Sequence, residues 1–508
     1  MFRLISLQLH NHPFLGDLSV DFSTNEDVKS SHPYSTVIIG PNGTGKSEIL
    51  RIVTNIFRTL YENTELLESN KGFNKELNLS RKDYVKSRYS IKYLLDEKEY
   101  FYTNKRNVDK FNKYDNLGEL QINEKTTHFS QIKLPSTVIA SVFLLNDKFV
   151  FSDNLPNHIY KYLGLRSSPG SSGTQAIQKM TVNNIVHNLD HQKFIFSLSE
   201  LLQFLGYSKS LKIIYAIRYR EHIFNGELVE KSFERFFNSW RESRNRKTEP
   251  FSISYYRENI ARNKDIIKPL LAFINVLAIN SQLNEKGKDL KFDVFEDSTL
   301  VEKEEFLDIL VKLDLLRSPR IELEKQSNYS LNDSSSGEYH FIISMIGLLA
   351  NIQNNSLICI DEPDISLHPN WQMKYINFLK RIFKGYPSCQ FIIASHSHFM
   401  VSDLEPSSSY LVGLKRDTEG KIKAVELPQN TYGWSAENIL YSIFNVRTTR
   451  NYYFEQHLRE ILRLISEKSN DIDSIKLLYK EIEIYKLDEM DPLNIILDNV
   501  RDYIINAD

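Results

Sequence analysis

Two clusters in this sequence carry groups that could work on a phosphate chain. The first is Gly40-Pro41-Asn42-Gly43-Thr44-Gly45-Lys46-Ser47, a glycine, four residues, then Gly-Lys-Ser. Its glycines let the backbone curl so that successive N–H groups face inward as an anion nest. The helix start that follows adds unpaired N–H groups and the positive end of a helix dipole. Lys46 has the reach to meet the outer phosphates, and the Ser47 hydroxyl can ligate Mg²⁺. The second cluster is Asp361-Glu362, which ends the apolar run Ser356–Ile360. A first carboxylate there supports Mg²⁺, mostly through water. A second polarises a water for in-line displacement at a γ-phosphate. A third apolar run, Gln390–Ser395, ends in His396, which is placed to touch the γ-phosphate and hold that water. His398 reads as a turn residue. Upstream, Ser335-Ser336-Gly337-Glu338 opens an apolar helix. Small hydroxyls and glycine at a helix start build a further anion site. A chain that already owns a phosphate loop has no need of a second one for its own nucleotide. The expectation is that this site closes over the nucleotide of a second subunit.

These groups need strands to end at them and helices to start from them. Alternation between Phe2 and Phe22 predicts two strands about a bend at Asn11-His12-Pro13. A strand at Thr36–Ile39 feeds the loop, and a helix runs to about Asn63. Residues 66–86 read as loop with short helix, and 89–103 as a hairpin through Asp96-Glu97-Lys98. Residues 134–151 hold another strand, and the serine- and glycine-rich 165–174 a breaker. From Ala176 to about Asn280 the signal is mainly helical, with strands again at 291–295 and 320–324. The expected fold is α/β, its core split by a mainly helical insert. The expected parts are an N-terminal half-core (1–165), the insert (166–319), a C-terminal half-core (320–450) and a helical tail (451–508).

Composition narrows the class. The 508 residues carry a net charge of −2, so nucleic-acid contact would have to come from a local patch. The best one is Phe233–Lys247, where arginines and aromatics interleave with acidic residues. A solvated helical face fits that stretch equally well. No apolar run is long enough to span a bilayer, and the first residues lack a signal-peptide pattern. The two cysteines, Cys359 and Cys389, sit in apolar runs and read as buried free thiols of a reducing, cytoplasmic compartment. Asp471 and Asp473 spell Asp-x-Asp, but in a polar turn between amphipathic helical runs, which favours a loop over a metal site.

Taken in order, these motifs resemble those of the ABC-type ATPase heads of the SMC, RecF and OLD group. GPNGTGKS falls on the Walker A loop, SSSGE on the signature, LICIDEP on Walker B, ISLHP on the D-loop and ASHS on the switch histidine. The resemblance covers residues 1–165 and 320–450. It implies an ABC-type P-loop head that binds ATP with Mg²⁺ and dimerises head to head. Gly40, Asn42, Gly43, Thr44, Gly45, Lys46 and Ser47 would hold the nucleotide, and Ser335, Ser336, Gly337 and Glu338 would complete the partner's site. Asp361 and Ser47 would serve the metal, Glu362 as base and His396 as switch, with Ser366, Leu367 and His368 in the D-loop. Ser334 departs from the leucine expected ahead of the signature. The Q-loop residue stays open between Asn146 and Asp147, since Gln131 precedes its strand. More narrowly, LPSTVIASVFLLNDKF, YKYLGLRSS and TYGWSAENILYSIFNVRTTRN resemble the stand-alone ATPases of anti-phage Septu systems (PtuA) and their retron-associated relatives. That likeness implies a separate HNH-type nuclease partner, and for retron forms a reverse transcriptase complex. The tail lacks the strand-end Asp-x-Asp of an OLD-type nuclease, so no intrinsic nuclease is expected. The other reading is a repair or recombination ATPase acting directly on DNA.

Overall fold

The structure, a computed structural model, describes residues 1–24, 31–68, 85, 87–104, 118–142, 147–152, 157–164, 166, 174–224, 227–243, 250–279, 289–297, 299–325, 328–365, 367–402, 404–427, 431, 433–442, 450–467, 471–485, 487–488 and 491–507. Two compact units are present, Met1–Gly433 and Trp434–Asp508.

The first unit opens with β1 (Phe2–His12), β2 (Gly16–Asp21), β3 (Tyr34–Ile39) and α1 (Lys46–Glu68). There follow β4 (Arg88–Leu95), β5 (Lys98–Thr103), β6 (Glu119–Ile122), β7 (Lys125–Thr127), β8 (Val138–Val142) and β9 (Tyr160–Leu163). The middle of the chain gives α2 (Thr174–Val186), α3 (Gln192–Phe204), β10 (Leu211–Ala216), α4 (Arg220–Ile223), α5 (Glu230–Ser243), α6 (Phe251–Tyr255), α7 (Lys264–Ile279), β11 (Asp289–Asp293) and α8 (Leu300–Lys312). Then come β12 (Arg320–Glu324), β13 (Asn328–Ser330), α9 (Ser336–Asn351), β14 (Leu357–Asp361), α10 (Pro369–Ile382), β15 (Gln390–Ser395), β16 (Ser409–Arg416) and β17 (Ile422–Glu426).

The core sheet has the order β17-β16-β3-β15-β14-β8-β9. All its pairings are parallel except that of the edge strand β17. Strands β3, β8, β14 and β15 are buried along their whole length, as a parallel sheet covered on both faces requires. One face is covered by α1. Its apolar stripe shares a core with a second, antiparallel sheet of order β2-β1-β4-β5-β6-β7. There Phe57 of α1 meets the rings of Phe2 and Tyr93 at 5.7 and 5.4 Å. The other face is covered by α9, whose Phe341 packs against Trp371, Tyr375 and Phe378 of α10.

Gln390 ties the two sheets together. Its buried amide oxygen accepts the Leu4 N–H at 2.5 Å, and its nitrogen donates to the hydroxyl of Thr36 at 3.0 Å and to the Leu4 and Phe22 carbonyls at 3.4 Å. A buried amide is tolerated because its hydrogen-bonding capacity is filled.

The hairpin expected at 89–103 is present, with Asp96 and Glu97 at φ +50° and +62° in its two-residue turn. The mid-chain region is mainly helical, but it also builds a four-stranded sheet, β11-β10-β12-β13. Its strand β10 lies inside the stretch read as helical. Its apolar residues are flanked by helices of the same composition, and only pairing with β11 and β12 reveals the period. Residues 165 and 167–173 lie outside the described residues, as does most of 66–86.

The second unit carries α11 (Ala436–Ser442), α12 (Tyr452–Ser466), α13 (Ile472–Glu483) and α14 (Leu493–Ala507). The last three share a small core of Phe454, Leu458, Ile461, Ile475, Ile482 and Val500. Asp471 caps α13 by accepting the Ser474 N–H at 3.1 Å, which explains the Asp-x-Asp spelling without a metal. Among the described residues no helix is long and apolar enough to cross a membrane. Both cysteines are buried free thiols.

Candidate functional site

The core sheet brings the separated motifs together. Strands β3, β15 and β14 are neighbours in register, with Ile39 beside Ser395 and Ala394 beside Asp361. The phosphate loop, His396 and the Asp361-Glu362 pair therefore leave the same edge of a parallel sheet, at the carboxyl ends of three adjacent strands.

Each glycine of the loop has its own reason. A Cβ on Gly40 would lie 2.5 Å from the Leu414 carbonyl oxygen of β16, so the backbones approach too closely for a side chain. Gly43 and Gly45 take φ of +75° and +89°, the left-handed region that glycine enters freely. Thr44 closes the turn, its hydroxyl donating to the Pro41 carbonyl at 2.8 Å. Asn42 and Gly43 are exposed at the rim. Helix α1 begins at Lys46, so its first N–H groups point into the loop without intrahelical acceptors. Arg416, at the end of β16, donates to the Gly43 carbonyl at 2.8 Å and braces the loop. Sequence reasoning missed this residue. It lies 373 positions away and belongs to no motif.

The titratable groups form a chain. Lys46 is 4 % exposed, and its Nζ donates to the carbonyls of Gly40 (2.8 Å) and Pro41 (3.3 Å). It also lies 3.2 Å from His396 Nδ1. An ammonium only donates, so Nδ1 accepts and Nε2 carries the ring proton. That proton faces Glu362 Oε1 at 3.4 Å. The hydrogen bond from His396, together with the positive charge of Lys46, holds the Glu362 carboxyl below its ordinary range despite its burial. Glu362 takes φ +49°, and its N–H donates to the Ala394 carbonyl at 2.9 Å. The strand thus ends in a left-handed turn that sets the carboxylate beside the histidine. Burial lowers the Lys46 ammonium to about 8, against the pull of Glu362, Asp361 and Asp364.

Asp361 fits a cation. Burial raises its carboxyl to about 7; the Ser47 hydroxyl facing it and nearby Lys46 oppose the rise, while Glu362 and Asp147 add to it. Its Oδ1 is buried without a hydrogen-bond partner. An orphaned oxygen beside a serine hydroxyl suits Mg²⁺, reached directly or through water. Bound there with the nucleotide, the ion would neutralise charge on the phosphates.

The signature residues lie elsewhere. Ser335 caps α9, accepting the Glu338 N–H at 3.3 Å, and Ser336 and Gly337 form its first turn. Ser344, midway along α9, meets Ser141 of β8 at 2.8 Å. The helix then descends towards the start of β14. Ser336, eight residues before Ser344, therefore lies about 12 Å from it along the helix axis. Glu338 takes a hydrogen bond from the Tyr207 hydroxyl, in the turn between α3 and β10.

Of the two Q-loop candidates, Asn146 lies outside the described residues. Asp147 is locked to Arg166 by two bonds of 2.6 and 3.0 Å and accepts the Tyr162 hydroxyl at 2.6 Å. Ser366 also lies outside the described residues, Leu367 is buried, and His368 caps α10 through the Asn370 N–H. His398 opens a short turn and lies against Phe399. In the basic stretch, Phe233 and Phe237 are core residues, the second stacked on Tyr256 and the first edge-on to it, not an exposed platform. The side chains from Trp240 to Lys247 lie outside the described residues.

Fold and site together define a P-loop ATPase. The chain belongs to the AAA ATPase domain family, whose family model matches residues 3–401. It is 24% identical over 526 residues to "Retron Ec83 probable ATPase" of Escherichia coli, covering 94% of this chain and 82% of that protein. It is 32% identical over 137 residues to "Septu protein PtuA" of Bacillus thuringiensis, a match covering 26% of this chain and 32% of PtuA's length. Among solved structures, the SMC head domain from Thermotoga maritima aligns with 84% of this chain and 99% of its own at 12% identity, with a TM-score of 0.35. That likeness is too distant to define the fold further.

Proposed function

We propose that this ATPase is a nucleotide-gated switch built from two copies of the chain. Each phosphate loop binds ATP with Mg²⁺ held through Ser47 and Asp361. Ser335, Ser336, Gly337 and Glu338 of the opposite copy close over the γ-phosphate. Lys46 then exchanges its loop carbonyls for phosphate oxygens. His396 turns its ring towards the γ-phosphate, and Glu362 accepts a proton from the attacking water. The observation that carries this reading is the Lys46–His396–Glu362 chain at the carboxyl ends of the core strands.

The names of the relatives, Septu and retron, support a role in anti-phage defence. There the closing and opening of the heads would govern an associated HNH-type nuclease. The insert at 166–319 and the tail at 451–508 are the surfaces offered to such partners. The test is native mass spectrometry and ATP turnover on the Glu362→Gln protein, co-expressed with its genomic neighbours. ATP should trap a dimer that does not turn over, with a nuclease bound in stoichiometric amount. Normal turnover would remove Glu362 as base, and an ATP-bound monomer would remove the two-copy switch.

A further inference from the structure

Beyond the groups assigned to nucleotide and water, a ring of hydrogen bonds joins the two segments that carry Glu362 and His396. We propose that Gln372 is a positioning residue for hydrolysis, holding the loop after Glu362 in register with the segment around His396. The proposal rests on the roles given above to those two side chains.

Gln372 lies in the first turn of α10, and its amide turns back over the loop that precedes the helix. The amide nitrogen donates to the carbonyls of Asp364 (3.2 Å) and Leu367 (2.8 Å). Its oxygen accepts the Ser397 hydroxyl at 2.6 Å. The Ser397 N–H donates to the Ser395 hydroxyl oxygen at 2.9 Å, and that hydroxyl donates to Asp364 Oδ1 at 2.7 Å. The ring is therefore closed: Asp364, Ser395, Ser397, Gln372 and back to the Asp364 backbone. Its two serines flank His396, and Asp364 is two residues from Glu362.

Only a primary amide supplies what this place needs. The two backbone carbonyls require a two-proton donor, and the Ser397 hydroxyl requires an acceptor. A carboxylate could satisfy the serine but would set acceptor oxygens against both carbonyl oxygens and bring a negative charge towards Asp364. No atom of Gln372 is bonded to the groups assigned to nucleotide or water, so its effect passes through the geometry of others. The Glu362–His396 separation of 3.4 Å is longer than a tight hydrogen bond. It has room to drift once the ring opens.

The experiment compares ATP turnover, KM and melting temperature for wild type, Gln372→Ala, Gln372→Glu, Ser397→Ala and the double variant Gln372→Ala/Ser397→Ala, with Glu362→Gln as reference. Gln372→Ala should lower kcat on the order of tenfold to a hundredfold with KM for ATP little changed, since misplacement by about 1 Å costs that much. Ser397→Ala should act in the same direction, and the double variant should lose no more than the worse single. Gln372→Glu should regain kcat as pH falls and its carboxyl regains a proton to donate. A merely structural glutamine would instead lower the melting temperature with kcat intact. Wild-type kcat in Gln372→Ala, or additive losses in the double variant, would overturn the proposal while Glu362→Gln still stalls. Turnover in Glu362→Gln would instead remove the reading on which it rests. Should Gln372→Ala not fold, Ser397→Ala and Gln372→Glu open the same ring, and wild-type kcat in both would overturn it equally.

Discussion

Nucleotide binding should move protons in opposite directions on either side of about pH 7.5, because the two charged groups of the site are displaced towards one another. Burial holds the Lys46 ammonium at about 8 and the Asp361 carboxyl at about 7. Phosphates beside Lys46 restore its proton, and Mg²⁺ beside Asp361 expels one. At about pH 7 some half of Asp361 is protonated and about a tenth of Lys46 is neutral, so binding should release about 0.4 proton. At about pH 8.5 Asp361 is already ionised and about three-quarters of Lys46 is neutral, so binding should take up about 0.7 proton. The assay is titration calorimetry of a preformed complex of Mg²⁺ with a non-hydrolysable ATP analogue, repeated in buffers of different ionisation enthalpy. The slope of apparent enthalpy against buffer enthalpy gives the proton count and its sign. Lys46→Met should abolish the uptake at high pH, and Asp361→Asn the release at low pH, each weakening affinity. The same sign at both pH values, or uptake that survives Lys46→Met, would refute the claim that these two side chains face the phosphates and the metal.

Two further outcomes follow from the surrounding structure. Gln390→Leu should destabilise the first unit by about 2–4 kcal/mol, because Leu4 N–H and the Thr36 hydroxyl each lose a buried partner. Chemical denaturation reads this, and an unchanged midpoint would show that Gln390 does not join the sheets. Tyr207→Phe should leave ATP affinity of the single chain unaltered while weakening ATP-dependent dimerisation several-fold, since Glu338 loses the hydroxyl that fixes it at the start of α9. Sedimentation with and without ATP measures this, and wild-type dimerisation would make the contact incidental.

Much of the site was legible in the chain itself. The phosphate loop, the acidic pair and His396 are local patterns, each a residue type forced by a turn or strand end. Glycines at Gly43 and Gly45 announce left-handed backbone before any coordinates exist. A buried parallel strand likewise declares itself by unbroken apolar residues, as in Leu357–Ile360. What the sequence could not show is whatever is made between distant segments. Arg416 reaches Gly43 from β16, Gln390 joins two sheets, and Gln372 closes a ring around His396. The strand β10, hidden among helices of like composition, is also set by its partners, β11 and β12. Even the tautomer of His396 is a tertiary result, since it depends on Lys46, 350 positions earlier. Local spacing determines which chemistry a chain can attempt, because turns and caps act over a few residues. The register of that chemistry belongs to hydrogen bonds across the sheet, whose partners no local pattern names.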